Sequence, residues 1–564
     1  MAGNKWELVA AARELSDRGL VQSAKWVSEL AVSLPFSPPP DGYQRQLCDI
    51  DREWIEEMDK YTFAKTCFDC REYSRAAFHL ASCHSKKSVF LRGYALYLAG
   101  EKNRHDHTSS EITAKPQKKE KSTKHLQSLK IELSQLYEDK KLDGYSLYLY
   151  GIVLKELDQR DKLRGLFEEC VNKTPFLWSA WQELAATCKD RESLETLNLP
   201  SYWMTELFMA YACLHLQYTE ESLQRYNNLT AAWLPEDSPH VKSQKAMVYY
   251  NARDFEEAGR LYGEVFERDP ERIDEADFYS NVLFVMDKKA ELSYLAHHLV
   301  EVDRYRPETC CVIGNYYGLR GEHHKSVQYF QRACLLDPSY LSAWTLLGHE
   351  YVELKNIPAA IQAYRKAVDA DPSDYRAWYG LGQTYEMLRM PLYAVHYYQK
   401  AHQLRPNDSR MLVALGEIYE RLDKHQLAKK CYWRAVLVGD IEHLALLQLA
   451  KLYEQLGENE DAARVYTRLA QQINDHGTVA SSGDLSRCFR FLVLHHLRST
   501  QDLDQAEKYA HKCCEYAETL QEGTSFLEEI GQLRRMEQTL TDDDVNLMPL
   551  DQSLSPDVNT VRFS

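Results

Sequence analysis

The chain contains 564 residues, of which 27% are charged and 44% hydrophobic, and its formal net charge is −16 at pH 7. Proteins that follow nucleic-acid phosphates need cationic surfaces, so this acidic balance argues against a nucleic-acid partner. No run of about 18 apolar residues occurs, and charged residues interrupt the apolar stretch at the N-terminus, unlike in a secretory signal. We therefore expect an intracellular protein without a membrane partner.

The first hundred residues predict helical hairpins. Residues 6–34 read as an amphipathic pair of helices, and residues 61–83 and 88–100 read as a repeat and a half. We assign residues 1–100 to N-terminal hairpins on this basis. Residues 101–124 contain almost nothing apolar, so we predict a charged, disordered insert there.

Weaker repeats follow over residues 125–305. Hairpins are predicted at residues 147–175, 181–197 and 206–229, where small and apolar residues recur at helical spacing. Two further units then fit the register of the stronger repeats that follow, and the second of them, at residues 281–299, is degraded. We interpret the whole segment as degenerate helical hairpins.

Residues 306–474 carry the strongest pattern, a period of 34 residues over five consecutive units. A small residue recurs in the first half of each unit, and a tyrosine follows it three residues later. The two columns are Gly314, Gly348, Gly382, Gly416 and Ala450, and Tyr317, Tyr351, Tyr385, Tyr419 and Tyr453. In the second half, a small residue precedes an aromatic residue by four positions, as in Ser326 with Phe330, Ala360 with Tyr364, Ala394 with Tyr398, Ala428 with Tyr432, and Ala462 with Tyr466.

The physical basis of this pattern is a close helical hairpin. Small residues let two helices approach, aromatic residues one turn away fill the space beside the crossing, and proline ends the second helix. The pattern matches the tetratricopeptide repeat (TPR). We therefore predict an all-α fold, an elongated TPR superhelical solenoid of roughly a dozen hairpins.

The C-terminal part is predicted in two segments. Residues 475–536 read as TPR-like helices, and residues 537–564 as a disordered acidic tail. Ser37 and Ser555 each precede a proline, which makes them candidate sites for proline-directed phosphorylation.

The 14 cysteines fall largely at positions where the repeat needs a small apolar side chain. This distribution favours a reducing compartment, and we expect the nucleus and cytoplasm. Cys67, Cys70, Cys83 and His84 have spacing that can suit zinc, but burial of cysteine in helix packing explains them better, and we expect no metal. No phosphate-binding loop or other catalytic pattern appears, so we expect no cofactor and no enzymatic activity.

The remaining candidate site is a groove lined by the first helices of the strong repeats. Amide, imidazole, aromatic and carboxylate side chains recur there, and they favour an extended peptide that carries arginine. The predicted peptide-binding residues are Asn315, Thr345, His349, Tyr379, Gln383, Glu386, Glu417 and Glu420. The alternative interpretation is that these residues form only a solvated helix face.

Several stretches resemble one known family. They include YRPETCCVIGNYYGLRGEHHKSVQYFQRA at residues 305–333, DYRAWYGLGQTYE at residues 374–386 and WELVAAARELSDRGLVQSAKWVSELA near the N-terminus. These stretches resemble the cell-division-cycle twenty-three family, subunit eight of the anaphase-promoting complex. The resemblance spans nearly the whole chain and is weakest at residues 101–124, at residues 470–488 and in the C-terminal tail.

This resemblance implies a non-catalytic scaffold subunit of a ubiquitin ligase that controls mitotic progression. It also implies a homodimer formed through N-terminal repeats, contacts with sibling TPR and scaffold subunits, and binding of the C-box peptide of a coactivator. The alternative is a TPR co-chaperone that binds C-terminal peptides. Its carboxylate clamp would need Lys or Asn where this sequence has Cys311, Leu346 and Gly380, and only Asn315 and Arg376 are suitable.

Overall fold

A computed structural model describes residues 2–35, 52–110, 119–188, 190–406, 408–439, 444–476, 482–500 and 502–546. Over these residues the chain forms α-helices joined by short turns and no β-strand, which confirms the predicted all-α fold. The chain divides into two compact units, Met1–Gly321 and Glu322–Ser564. None of the described helices combines the length and the apolar character needed to cross a bilayer.

The first unit contains seventeen described α-helices, mostly paired as antiparallel hairpins. They are α1 (Ala2–Asp17), α2 (Val21–Ser33), α3 (Arg52–Asp69), α4 (Tyr73–His79), α5 (Lys86–Ser110), α6 (Lys119–Glu138), α7 (Gly144–Glu156), α8 (Leu163–Lys173), α9 (Trp178–Thr187), α10 (Arg191–Glu195), α11 (Trp203–His215), α12 (Thr219–Ala232), α13 (Pro239–Ala252), α14 (Phe255–Arg268), α15 (Ala276–Val285), α16 (Lys289–Val302) and α17 (Pro307–Leu319).

The second unit contains twelve described α-helices. They are α18 (His323–Leu336), α19 (Leu341–Glu353), α20 (Ile357–Ala370), α21 (Tyr375–Met387), α22 (Pro391–Leu404), α23 (Ser409–Arg421), α24 (His425–Val438), α25 (Leu444–Gln455), α26 (Asn459–His476), α27 (Ser482–His495), α28 (Leu503–Cys513) and α29 (Leu520–Asn546). A π-helical turn, His496–Thr500, follows α27.

The turn inside each hairpin repeats with the same backbone geometry. One residue per repeat adopts a left-handed conformation, and the next residue donates its backbone N–H across the end of the first helix, as Asn356 does to the carbonyl of Tyr351. This geometry satisfies carbonyl groups that the helix end would otherwise leave unpaired. The left-handed residues occur every 34 positions, at Arg253, Asp287, Gly321, Lys355, Arg389, Asp423 and Gly457. The repeat register therefore extends back to α13, as the sequence predicted.

The column of small residues has the predicted role. A Cβ atom added to Gly382 would lie 2.5 Å from the ring of Tyr398, and Gly348 and Gly416 meet Tyr364 and Tyr432 in the same way at 2.4 Å. These three tyrosines are at most 1% exposed. Each glycine therefore makes room for an aromatic ring from the second helix of its own hairpin.

The tyrosine column of the first helices does more than fill space. Its hydroxyl groups accept hydrogen bonds from the second helix of the preceding hairpin, which ties adjacent repeats together. The donors are Gln331 to Tyr351 at 2.7 Å, Arg365 to Tyr385 at 3.0 Å, Gln399 to Tyr419 at 2.8 Å, and Trp433 to Tyr453 at 3.0 Å.

The helices extend further into the polar segments than the sequence indicated. Helix α5 continues to Ser110 and α6 begins at Lys119, both inside the predicted insert, and α29 continues to Asn546, inside the predicted tail. The reason is that Glu, Lys, Gln and Arg are good helix formers even without an apolar face. Residues 111–118 and 547–564, and with them Ser555, lie outside the described residues, as does Ser37.

Candidate peptide-binding face of the second unit

Hydrogen bonds and ion pairs join the first helices of successive repeats in the second unit. Arg421 on α23 pairs with Glu386 on α21 at 2.8 Å. The amide of Gln448 on α25 donates to Glu417 on α23 at 3.2 Å. These bonds hold α21, α23 and α25 side by side, and the helices present a row of carboxylates.

Glu386 is already well satisfied within the chain. Besides its ion pair with Arg421, it accepts a hydrogen bond from the hydroxyl of Tyr398 at 2.7 Å. The carboxylate is 18% exposed. Burial, followed by the negative charge of Glu386, raises the pKa of Tyr398, so this tyrosine remains a hydrogen-bond donor.

Glu417 is the carboxylate without a balancing cation. It is half-buried, and it forms no ion pair with the part of the chain that the structure describes. Burial raises the pKa of Glu417, and the negative charge of Glu386 raises it further. An ionised Glu417 is therefore poorly compensated, and an incoming cation would relieve this repulsion.

Glu420 continues the row, and one member of it was missed by sequence reasoning. Glu420 accepts a hydrogen bond from Tyr432 at 3.2 Å. Glu454, which lies 34 residues later, accepts one from Tyr466 at 3.2 Å and pairs with Arg487 at 3.0 Å. The equal spacing of Glu386, Glu420 and Glu454 is the signal that could have revealed the third position. We call Glu386, Glu417, Glu420 and Glu454 the carboxylate row.

Tyr379, Gln383 and His349 lie on the same helices. Tyr379 and Gln383 are half-buried on α21, and the ring of Tyr379 packs 5.3 Å from that of Tyr398. His349 lies on α19, where the Tyr364 hydroxyl is 2.9 Å from its Nδ1. The His349 ring keeps contact with solvent, yet the surrounding protein lowers its pKa and the charge of Arg376 adds to that effect. His349 is therefore a neutral polar group near pH 7.

Two predicted residues are not available to a peptide. Asn315 lies on α17 in the first unit, is 4% exposed, and donates its amide to Ser280 and Asn281 at 2.8 Å. Thr345 is also 4% exposed, and its hydroxyl donates to backbone carbonyls within α19. Both side chains stabilise helix packing, because their polar atoms are buried and satisfied locally. Their assignment to the groove is therefore corrected.

The described residues do not form the alternative sites. No group of three or more His, Cys, Asp or Glu side chains among them is placed to hold a metal ion. Cys67 and Cys83 are buried and Cys70 is exposed. Arg376, which a carboxylate clamp would use, pairs with Asp374 at 3.2 Å. The carboxylate row is thus the arrangement with the clearest binding chemistry in the second unit.

Comparisons with known proteins agree with the repeat architecture. A family model described as "Anaphase promoting complex subunit 8 / Cdc23" matches residues 4–246. Tetratricopeptide-repeat models match residues 307–340, 348–388, 409–437 and 445–478.

Curated relatives carry the same description. The chain is 41% identical over 385 residues to "Anaphase-promoting complex subunit 8" of Arabidopsis thaliana, covering 63% of this chain and 66% of that protein. It is 37% identical over 413 residues to the Dictyostelium discoideum protein of the same name, covering 64% and 70%. It is 46% identical over 304 residues to "Cell division cycle protein 23 homolog" of Homo sapiens, covering 53% and 49%. The matched part thus spans between about half and 70% of these relatives.

Among solved structures, one similar chain belongs to "Crystal structure of APC/C hetero-tetramer Cut9-Hcn1". The identity is 17% and the TM-score is 0.49, and the match covers 86% of this chain and 98% of that chain.

Proposed function

The chain belongs to the anaphase-promoting complex subunit 8 / Cdc23 family, and from that premise we propose that it acts as a non-catalytic TPR scaffold in a ubiquitin ligase that controls mitotic progression. In this proposal the second unit binds the C-box peptide of a coactivator. The observation that carries the peptide site is Glu417, a half-buried carboxylate without a balancing cation beside Glu386.

The chemistry of the carboxylate row favours a guanidinium group. Arginine can donate several hydrogen bonds in one plane, and charge-assisted bonds to carboxylates are about twice as strong as neutral ones. Glu386 already has Arg421 as a partner, so a peptide arginine would engage Glu417 first and share Glu386 with Arg421. Glu420 and Tyr379 supply further contacts along the peptide.

The site is tested by reversing two charges. In the Glu386→Lys, Glu417→Lys double variant, we expect an arginine-containing coactivator peptide to bind at least about tenfold more weakly, which corresponds to about 1.4 kcal/mol. The physical reason is that the variant replaces attraction with repulsion in a partly water-excluded site. Calorimetric titration at fixed salt measures the affinity.

The matched control is Glu528→Lys with Glu529→Lys, because both residues are exposed on α29 in the same unit and the charge change is the same. The control should change the affinity by less than about twofold. Unchanged affinity in a folded Glu386, Glu417 variant would show that the peptide binds elsewhere. An equal loss in the control would show that only the net charge matters.

The proposal also covers assembly and location. We infer a homodimer formed through the N-terminal repeats, contacts with other TPR and scaffold subunits of the complex, and residence in the nucleus and cytoplasm. The family relationship supports these inferences. Sedimentation of the purified chain tests the dimer, and affinity purification with mass spectrometry tests the partners. Recovery of chaperones alone would favour the co-chaperone alternative and contradict the proposal.

A further inference from the structure

A cleft of about 900 Å³ lies in the first unit, apart from the carboxylate row. Its walls come from helix α1, the turn before α5, the turn before α7 and the segment after α8. These segments are distant in sequence, so the cleft exists only in the folded unit. Its volume is within the range of roughly 300 to 1,000 Å³ that is typical of ligand sites.

The floor of the cleft is a buried, fully engaged arginine. Arg18 is 5% exposed and pairs with Asp143 at 2.8 Å and with Glu14 at 3.3 Å. Its guanidinium also lies over the ring of Tyr145, 4.0 Å from the centroid. The charges of both acids are therefore neutralised within the protein. The third acid, Glu7, accepts a hydrogen bond from the hydroxyl of Tyr202.

The rim of the cleft is cationic. Lys86, Lys140, Lys141 and Lys173 all line it. Lys141 pairs with Asp139 and Lys173 with Glu169, outside the lining. Lys86 and Lys140 are exposed, and neither has an ion-pair partner among the residues that the structure describes. The available charge at this rim is therefore positive, although the whole chain carries −16.

Apolar groups complete the lining. Leu142 and Ala11 are 6% and 9% exposed, and the partly buried ring of Phe176 packs against Tyr202. A simple anion would use the lysines and leave this wall unused, whereas a peptide can engage both. We propose that the cleft binds an acidic peptide of a partner protein that places an apolar side chain on this wall and carboxylates against Lys86 and Lys140. The site is separate from the coactivator site and does not depend on it.

The test uses the full-length protein and a fluorescent synthetic peptide, Glu-Asp-Asp-Leu-Glu-Asp-Asp-Leu. The double variant Lys86→Glu, Lys140→Glu should bind this peptide at least about tenfold more weakly, because two attractions become repulsions. The matched control is Lys288→Glu with Lys289→Glu, two exposed lysines of the same unit away from the cleft. The control should change the affinity by less than about twofold. Fluorescence anisotropy at fixed salt measures both.

A second variant addresses the apolar wall. Ala10 lines the cleft and is only partly buried, so Ala10→Glu should preserve the fold while adding bulk and negative charge to the site. We expect a loss of peptide affinity of at least about tenfold, with an unchanged thermal midpoint. The isosteric peptide Gln-Asn-Asn-Leu-Gln-Asn-Asn-Leu should bind more weakly than the acidic one.

Three outcomes would overturn the proposal. One is unchanged peptide affinity in either folded cleft variant. Another is an equal loss in the Lys288, Lys289 control, which would mean that the peptide reads net charge alone. The third is complete displacement of the peptide by millimolar inorganic phosphate, which would identify a simple anion site that makes no use of the apolar wall.

Discussion

The two units use different contacts to hold similar helices together. In the second unit the polar contacts repeat with the sequence period, and each links one repeat to its neighbour, as Gln399 does to Tyr419. In the first unit the main polar contacts join residues far apart in the chain. Arg272 on the segment before α15 pairs with Glu29 on α2, 243 residues away.

Helix α2 forms most of these distant contacts. The ring of Trp26 stacks on Trp178 with a centroid distance of 4.6 Å, and its indole N–H donates to Nε2 of His240 at 3.2 Å. Arg272, only 7% exposed, bridges Glu29 at 2.7 Å and Glu275 at 3.1 Å. Burial lowers the pKa of Arg272, but the charges of Glu275 and Glu29 outweigh it and raise the pKa overall. We call Trp26, Glu29, His240 and Arg272 the α2 anchor.

The difference teaches where the effect of a substitution should spread. Repeats that couple only to their neighbours confine damage to adjacent hairpins. Contacts that close a long loop cost more chain entropy to form, and their loss releases a whole segment. We therefore expect local effects in the second unit and effects over the whole N-terminal hairpin in the first.

The largest effect is expected at the α2 anchor. Arg272→Met should lower the free energy of unfolding of the first unit by about 3 kcal/mol, because it leaves Glu29 and Glu275 as unpaired like charges in a partly buried site. We place the value at the low end for a broken buried pair since both carboxylates are about 20% exposed. Chemical denaturation measures the loss, and hydrogen exchange should show α2 released.

The control for this prediction removes the charges as well as the arginine. Arg272→Met combined with Glu29→Gln and Glu275→Gln should recover part of the lost stability, since no unpaired charge remains. Equal destabilisation in the single and triple variants would show that the arginine acts through packing rather than charge.

A smaller, more local effect is expected in the glycine column. Gly382→Ala should destabilise the second unit by roughly 1–3 kcal/mol, because the new Cβ would lie 2.5 Å from the buried ring of Tyr398. Hydrogen exchange should change mainly between residues 343 and 435. If no amide in this range exchanged faster, the assignment of the glycine column would be wrong.

The matched control is Gly165→Ala on α8, where an added Cβ meets no atom within 4 Å. Alanine has the higher helix propensity by about 1 kcal/mol, so this variant should keep or raise the stability. Opposite signs at Gly382 and Gly165 would separate packing at the hairpin crossing from backbone propensity.

The smallest expected effect is a pH dependence confined to the first unit. Burial lowers the pKa of His240, Arg272 lowers it too, and Glu275 and Glu29 act in the opposite direction. The unfolded state therefore takes up a proton near pH 6.5 that the folded state resists, so the free energy of unfolding should fall as the pH drops below about 6.5. Protonation would also remove the acceptor of the Trp26 hydrogen bond.

Denaturation at pH 7.5 and pH 5.5 measures this effect in the wild type and in His240→Gln. The variant should lose part of the difference between the two pH values, because other groups titrate in both proteins. An identical pH dependence in the variant would show that His240 does not contribute.

The repeat architecture could be predicted from the sequence because its cause is local. A small residue such as Gly382 and an aromatic residue such as Tyr398 recur at a fixed distance within each hairpin, and close packing requires both. The carboxylate row was predicted in part for the same reason, since its members lie at regular positions on first helices. Asn315 and Thr345 were assigned wrongly, because a polar residue on a first helix can equally donate to a neighbouring helix or to its own backbone.

The sequence alone determined the all-α fold, the 34-residue register and the side chains of Glu386, Glu417 and Glu420. Only the tertiary structure decided that Arg421 occupies Glu386 while Glu417 has no cation, that Trp26 stacks on Trp178, and that Lys86 and Lys140 meet at one cleft. The physical reason is range. Hairpin packing depends on residues within one repeat, whereas charge pairing and cleft formation depend on residues that the folded chain brings together from distant positions.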